Sequence, residues 1–349
     1  MQSRMLQALP LKKRLKMNFN KLDQTFIIAE IGVNHEGDFD VAAELVRNAA
    51  SKGADAVKFQ TFSIEHYISK EQPERYERTK GFQLSEEQFS RLAEIAKEEG
   101  VMFFSTPFGL GNVDFLDRIA PIFKVSSGDL TFLPLIRHAA SKRKPMIIST
   151  GLGSPEEIRE AVKAVESVWP TVREDGGLML MHCVSNYPTE PHNANLRNLF
   201  WLKDEFNYPI GYSDHTLGTK ACELAVAAGA CAVEKHFTYR NTDQTFHDHL
   251  LSANPDDLGV LVENIRQAES YLGQYQRVGG QENDAQMEQH MRRSIGLLRD
   301  VPAGQPVTAE DLTWLRPAWG LRGELSEVVG QKLNKDLKAG MLIRKEDLA

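Results

Sequence analysis

Between Phe26 and Glu234 the sequence returns eight times to a short, nearly all-apolar run, with helix-length amphipathic stretches between the runs. The strand candidates are Phe26–Ile31, Ala54–Phe59, Val101–Ser105, Ile122–Val125, Pro145–Ser149, Leu178–Cys183, Tyr208–Gly211 and Cys231–Glu234. Runs this short and this apolar belong to strands buried on both faces, as in a parallel sheet covered by helices. Helix candidates include Val41–Ser51, Glu86–Glu99, Pro155–Val168, Thr219–Ala228 and Asp256–Leu272. Ser85 before Glu86-Glu87-Gln88, and Ser154-Pro155-Glu156-Glu157, are helix-start signatures. Eight such strands alternating with helices over roughly 250 residues predict an α/β fold of the (β/α)8 TIM-barrel type. An open doubly wound sheet is the rival, but no Gly-rich dinucleotide turn follows the first strand.

A barrel gathers its chemistry where the strands end. Strand one ends at Glu30, followed by Asn34 and His35, and strand two carries Lys58 and Gln60. Strand three ends in Ser105-Thr106-Pro107-Phe108, and strand four leads to Lys124, Ser126, Ser127 and Asp129. Strand five ends in Ser149-Thr150-Gly151, and strand six in His182-Cys183-Val184-Ser185-Asn186-Tyr187. The lysines and small hydroxyls are the usual wrapping of a phosphate and a carboxylate. Glu30, Asp129, Asp214 and Asp248 remain for acid–base work or for binding hydroxyls. No Walker sequence is present, so a nucleotide is not indicated.

Strands seven and eight bring Gly211-Tyr212-Ser213-Asp214-His215-Thr216 and Glu234-Lys235-His236-Phe237-Thr238, with Leu217–Ala230 between them as crossover helix and His247-Asp248-His249 beyond. His215 and His236 then stand at corresponding ends of adjacent parallel strands, a credible pair of ligands for a divalent metal.

Hydrophobic residues make up 42% of the 349 residues and charged residues 26%, ordinary for a soluble globular chain. A net charge of −7 offers no field for nucleic acid or an anionic membrane, and no apolar run is long enough to span a bilayer. Cys183, Cys222 and Cys231 share no metal-ligand spacing and read as reduced core residues of a cytoplasmic protein. Residues 1–24, basic through Lys12, Lys13, Arg14 and Lys16, read as a disordered extension, and 25–273 as the barrel domain. Residues 274–291 are polar and read as a linker. Within 292–349, Asp300-Val301-Pro302-Ala303-Gly304 and Asp336-Leu337-Lys338-Ala339-Gly340 resemble each other, and each leads to Glu-Asp-Leu, a duplication of 36 residues in a small, mostly β module.

Several motifs, in order, make the chain similar to the sialic acid (N-acetylneuraminate) synthases: Ala29-Glu30-Ile31-Gly32-Val33-Asn34-His35 with Gly37-Asp38, Gly53-Ala54-Asp55-Ala56-Val57-Lys58-Phe59-Gln60, Ser105-Thr106-Pro107-Phe108, 124–128, Ser149-Thr150-Gly151, 211–216, 234–238 and Arg292-Arg293-Ser294. That resemblance implies a phosphoenolpyruvate-condensing barrel followed by an antifreeze-like (SAF) domain. It implies His215 and His236 as ligands of a divalent metal, Mn2+ foremost with Mg2+ or Co2+ as alternatives. It implies Lys58, Thr106, Lys124, Ser127, Ser149, Ser185 and Ser213 around phosphoenolpyruvate, and Gln60, Phe108, Asp129, Tyr187 and Asp248 facing the acceptor sugar. Arg292 or Arg293 would come from the small domain of a partner in a domain-swapped homodimer. Glu30 would assist addition of water after phosphoenolpyruvate attacks the acceptor aldehyde.

Three departures fall on the acceptor side. Phe246-His247-Asp248-His249 replaces the family's Gly-Pro-Asp-His, residues 63–81 lack its sugar-binding asparagine, and Asp129 stands for a longer Glu. Free N-acetylmannosamine leads as acceptor. A 6-phosphorylated hexosamine, for which Arg75, Arg78 and Lys80 are available cations, and a dideoxy-diacetamido hexosamine giving legionaminate or pseudaminate are the alternatives. A metal-dependent hydrolase or epimerase would leave the two lysines unexplained, and a non-catalytic sugar-binding protein the intact set of Glu30, lysines and histidines.

Overall fold

The computed structural model describes residues 17–242, 244, 246, 248–273 and 282–349. They fall into two compact units that divide between Gly273 and Gln274.

In the first unit eight parallel strands close into a barrel in sequence order. They are β1 (Phe26–Gly32), β2 (Ala56–Thr61), β3 (Met102–Pro107), β4 (Phe123–Val125), β5 (Met146–Ser149), β6 (Leu178–Cys183), β7 (Ile210–Asp214) and β8 (Ala232–His236), which returns to pair with β1. The helices are α1 (Phe39–Ser51), α2 (Pro73–Gly81), α3 (Glu86–Glu98), α4 (Leu110–Ile119), α5 (Leu133–Ser141), α6 (Pro155–Val168), α7 (Asn198–Phe206), α8 (Lys220–Ala227), α9 (Asp248–Leu251) and α10 (Pro255–Leu272). The expected TIM barrel is present. Strands β2, β3, β7 and β8 run past the apolar runs of the sequence, because the ladder continues beneath polar side chains such as Gln60, Thr106, Ser213 and His236. Period-two alternation turns Lys58, Glu234 and His236 inward, while Phe59 packs outward against Phe89 and Phe103.

Caps explain which helices could be read beforehand. Asp38, Ser85, Ser154 and Asn254 accept hydrogen bonds from first-turn amides of α1, α3, α6 and α10. The unforeseen α4, α5 and α7 follow Gly109, Phe132 and Arg197, whose side chains make no cap bond. Helices α2 and α9 are additions to the eight-fold scheme, lying in the loops after β2 and β8.

The extension expected through residue 24 is ordered from Met17 onward. Phe19 is buried in the barrel core, and its amide donates to the Gly176 carbonyl at 2.9 Å. Residues 1–16 lie outside the described residues. The expected linker also changes: Glu282–Met291 is helix α11, built from helix-favouring Glu, Gln, Met and Ala, and 274–281 lie outside the described residues. Among the described residues no helix is long and apolar enough to cross a membrane.

In the second unit β9 (Ser294–Leu297) and β10 (Leu312–Leu315) pair antiparallel. The duplicated segments pair with each other: Val301 and Leu337 exchange amide–carbonyl bonds of 2.9 and 3.0 Å. Asp300 accepts from the Ala339 amide at 2.9 Å, while Asp336 accepts from Ala303 at 2.7 Å. Asp311 and Asp347 reach back to the amides of Thr308 and Arg344, both at 2.8 Å. Each bond recurs with both of its residues shifted by 36 into the other copy, so the sequence repeat is a local two-fold. Val301, Leu337, Leu333 and Ile343 share its core. Truncating Leu337→Ala is expected to cost about 2–4 kcal/mol. Hydrogen exchange should then quicken at the Val301 amide as much as at position 337, since each holds the other.

Candidate active site

Inside the barrel mouth four charges are buried together. Lys58 Nζ lies 2.9 Å from Glu30 Oε2 and 3.4 Å from Glu234 Oε1, and Lys124 Nζ lies 3.7 Å from Glu234 Oε2. Around them, Lys58 reaches Thr106 Oγ1 at 3.3 Å, Lys124 donates to Ser149 Oγ at 2.7 Å, and Ser213 donates to Glu234 at 3.2 Å. Two ammoniums and two carboxylates leave water as a neutral set, which is how such charges survive burial.

Their proton affinities diverge. Burial pushes the Glu30 carboxyl up to about 7 against the opposing charge of Lys58, with Glu234 adding to the rise. Burial also works on Glu234, but Lys124 and Lys58 hold it below the usual carboxylate range. Burial draws Lys124 below the ordinary lysine value, whereas Glu234 and Glu30 outweigh burial at Lys58 and hold it above. One carboxyl can therefore trade a proton near neutrality while its neighbour stays an anion.

His236 closes β8 and His215 follows β7, with ring centroids 5.3 Å apart. His215 Nδ1 lies 2.7 Å from the Val184 carbonyl, so Nδ1 carries the proton it donates and Nε2 keeps its lone pair for a ligand. Tyr187 packs 4.0 Å from the His215 ring and 6.0 Å from that of His236. Among the described residues no group of three or more His, Cys, Asp or Glu has metal-binding geometry. The donor set fits a divalent ion that draws its other ligands from water and substrate oxygens.

Beside this pair Ser127, Gly151 and Ser185 form a cradle. The Gly151 amide donates to Ser127 Oγ at 3.1 Å, and a Cβ at Gly151 would stand 2.7 Å from Ser185 Oγ and 2.8 Å from Ser127 Oγ. The space between these hydroxyls exists because residue 151 has no side chain. Cys183 links the cradle to the histidine pair: burial would raise its thiol, but His215, Ser127 and the charge of Lys124 hold it below its ordinary value. Reading Cys183 as a plain core residue missed that position, since only the fold brings His215 to it.

A pocket of about 270 Å3 opens next to His236 and Tyr187, bounded also by Gln60 and Asp248. Its remaining walls come largely from the two added helices and the loops that carry them: Phe62, Tyr67, Arg75, Arg78, Thr79 and Phe82 on one side, Phe246 on the other. Phe82 and Phe246 meet edge to face at 5.1 Å. Asn34 donates to the Phe237 carbonyl at 2.9 Å and to Ser252 at 3.0 Å, and Ser252 donates to the Asp248 carbonyl at 2.7 Å, which pins α9 to β1. Phe108 and Asp129 stand one layer back: Phe108 packs 4.3 Å from Tyr67, and Asp129 accepts from Ser126 at 2.7 Å. A larger groove, about 1220 Å3, lies where strands begin, beside Val101, Pro121 and Pro145, away from this chemistry.

The barrel thus assembles Glu30, Lys58, Thr106, Lys124, Ser149 and Ser213 in one network, Ser127 with Ser185 in the cradle, and His215 with His236. Asp214 is a correction to the acid–base candidates. It is wholly buried on the outer side of β7, bonded to Lys235 at 2.7 Å, to Tyr212 at 3.0 Å and to the Thr216 amide at 2.9 Å, so it locks β7 to β8. Arg292 and Arg293 belong to the second unit, where Arg292 pairs with Glu288 and Arg293 donates to the Trp314 carbonyl at 2.8 Å. Phe62, Tyr67 and Phe82 went unnoticed because lone aromatics in loops carry no periodic signal, whereas Phe246 belongs to the departing 246–249 segment that the sequence already set on the acceptor side.

Comparison with known proteins accords with this geometry. The NeuB family model matches residues 45–277, and the SAF domain model matches residues 292–349. The chain is 42% identical over 330 residues to the N,N'-diacetyllegionaminic acid synthase of Legionella pneumophila, covering 90% of this chain and 92% of that one. It is 33% identical over 306 residues to the N-acetylneuraminate-9-phosphate synthase of Mus musculus, covering 82% of each. The crystal structure of N-acetylneuraminic acid (sialic acid) synthetase from Leptospira borgpetersenii, in complex with citrate, superposes with a TM-score of 0.72 at 34% identity, covering 76% of this chain and 91% of that one. Matched along its barrel and its small module alike, the chain belongs to the NeuB family of sialic-acid-type synthases and is an enzyme of that kind.

Proposed function

We propose that this enzyme condenses phosphoenolpyruvate with the open-chain form of a dideoxy-diacetamido hexosamine, giving a legionaminate-type nine-carbon acid and phosphate. The observation that carries this reading is the acceptor pocket, where the rings of Phe62, Tyr67, Phe82, Tyr187 and Phe246 stand among the polar groups of Gln60, Arg75, Arg78, Thr79 and Asp248. Such walls suit a sugar that has exchanged hydroxyls for hydrogen and acyl groups better than a polyol. The product named for the Legionella relative is of this class. The pocket and that relative support a diacetamido sugar as acceptor, with free N-acetylmannosamine as the alternative. A 6-phosphorylated hexosamine is the second reading, favoured by Arg75 and Arg78 in the same pocket.

Lys58 and Lys124, with Thr106, Ser127, Ser149, Ser185 and Ser213, hold the phosphate and carboxylate of phosphoenolpyruvate. A divalent ion, Mn2+ first, would be held by His215 and His236 and would supply Lewis-acid polarisation of the aldehyde oxygen. C3 of phosphoenolpyruvate bonds to the aldehyde carbon, whose oxygen takes up a proton, and positive character develops at C2 beside the Glu30 and Glu234 carboxyls. Water adds at C2 as its proton passes to Glu30. The bond from C2 to the phosphate oxygen then breaks as the new C2 hydroxyl gives its proton to the departing phosphate, leaving the ketone and inorganic phosphate. Glu234 stays ionised and keeps the two ammoniums apart and charged. The reading extends to a cytoplasmic homodimer in which Arg292 or Arg293 of the partner subunit completes the acceptor site.

Phosphate release from phosphoenolpyruvate across N-acetylmannosamine, its 6-phosphate and a dideoxy-diacetamido hexosamine tests the reading. Release fastest with the diacetamido sugar is expected; no release with any of the three sinks it. EDTA treatment and His236→Ala should each abolish turnover, and His236→Ala should also lose the Mn2+ binding that electron spin resonance detects in the wild type. Gly151→Ala puts a methyl group between Ser127 and Ser185. It is expected to raise KM for phosphoenolpyruvate about tenfold or more, the loss of one hydrogen bond to a charged group, with KM for the acceptor nearly unchanged.

A further inference from the structure

We propose that helix α2 is the element that selects the acceptor: Arg75 and Arg78 donate hydrogen bonds to the oxygen-bearing substituent remote from the aldehyde, a second acyl carbonyl or a phosphate. This rests on the condensation reading above. Its grounds are independent of the reaction centre.

Helix α2 is not part of the barrel's outer ring. Tyr76 is its one buried residue. With Ile64 and Ile68 it forms a small apolar cluster of its own, apart from the main core. Nothing in barrel packing calls for this helix. One stripe of it does face the pocket: Arg75, Arg78 and Thr79, spaced three and four residues apart, all line it. His236 lies on a strand and forms the floor, so an insertion above the strands forms the rim.

The two guanidiniums are not committed to a carboxylate in the way that several other arginines of the barrel unit are. Arg91, Arg159, Arg173 and Arg266 each pair with a carboxylate. Arg75 instead donates to Gln72 Oε1 at 3.2 Å, and among the described residues no carboxylate pairs with Arg75 or Arg78. Among the described lining residues Asp248 is the one carboxylate, set against two guanidiniums. A guanidinium offers donors only. Its partner must be an acceptor oxygen, which an amide carbonyl or a phosphate supplies and a deoxygenated carbon does not. Tyr67 lines the pocket together with Arg75, whose charge acts on its hydroxyl. Its ring stacks 4.3 Å from Phe108 and 5.2 Å from Phe62, and Asp129 influences its hydroxyl. Phe108 and Asp129 therefore act on the acceptor through Tyr67 and Arg75, as positioning residues.

The test uses the full chain and the three acceptors above, with phosphate release measured for wild type, Arg75→Ala, Arg78→Ala and Arg78→Lys. Thermal melting confirms that each variant is folded. The alanine variants are expected to raise KM for the preferred acceptor about tenfold or more, to leave KM for phosphoenolpyruvate within about twofold, and to bring the preference over N-acetylmannosamine toward unity. Recovery by lysine would identify phosphate as the partner, and failure of lysine would identify a carbonyl held by the planar fork. An unchanged preference ratio in a folded Arg75→Ala/Arg78→Ala protein overturns the inference while leaving the condensation reading intact. Wild-type enzyme that releases no phosphate with any acceptor removes both.

Discussion

The burial of Lys58, Glu30, Glu234 and Lys124 as one neutral set is the constraint on which the rest of the site depends. A dianionic phosphate and a carboxylate need cations inside a dry barrel, and cations cannot be left there alone. The carboxylates solve this in the absence of substrate, with contacts of 2.9 to 3.7 Å. They also divide the work. Glu30, pushed up to about 7, can hold a proton when negative charge arrives, while Glu234 remains the fixed anion between the lysines. The network spans β1, β2, β4 and β8, so the barrel's closure, β8 returning to β1, is what brings the four groups together.

Closure explains what was legible in the sequence and what was not. Strand ends were readable because an apolar run followed by polar residues is a local signal, and the chemistry of Lys58, Lys124, His215 and His236 follows from which residues stand there. Which face a polar residue takes was not readable at Asp214. One position along β7 separates Ser213, which bonds Glu234 inside the barrel, from Asp214, which bonds Lys235 outside it. Cys183 shows the complementary failure, because its neighbours Ser127 and His215 come from other strands. Four of the helices that announced themselves carry a side-chain cap, while α8 was legible without one from its Ala-rich run. Those after Gly109, Phe132 and Arg197 lacked that mark, and α2, rich in Glu, Arg and Lys with Tyr76 its one buried residue, has no apolar stripe to betray a helix.

The small unit shows how a weak repeat becomes strong once paired. Two five-residue similarities are little evidence alone, yet Val301 with Leu337, Asp300 with Ala339 and Asp336 with Ala303 make each copy the hydrogen-bonding partner of the other. A module this short has little apolar surface to bury, and reciprocal pairing lets two short segments satisfy one another's backbone without a larger sheet.

Reaction and recognition are held by different parts of the same mouth. The condensing groups sit on strands, where ladder hydrogen bonds on both sides fix them. The acceptor walls come from α2 and α9, which leave the loops after β2 and β8 on either side of β1 and meet at Phe82 and Phe246. Gly37 lets them close: a Cβ there would stand 2.1 Å from the Gly81 carbonyl at the end of α2, so the β1–α1 turn can approach that helix only as glycine. Substitutions in the inserted helices can therefore change which sugar is accepted without moving Lys58, Lys124 or the histidine pair. That physical separation accounts for a chain whose phosphoenolpyruvate-directed motifs are intact while each of its departures falls on the acceptor side.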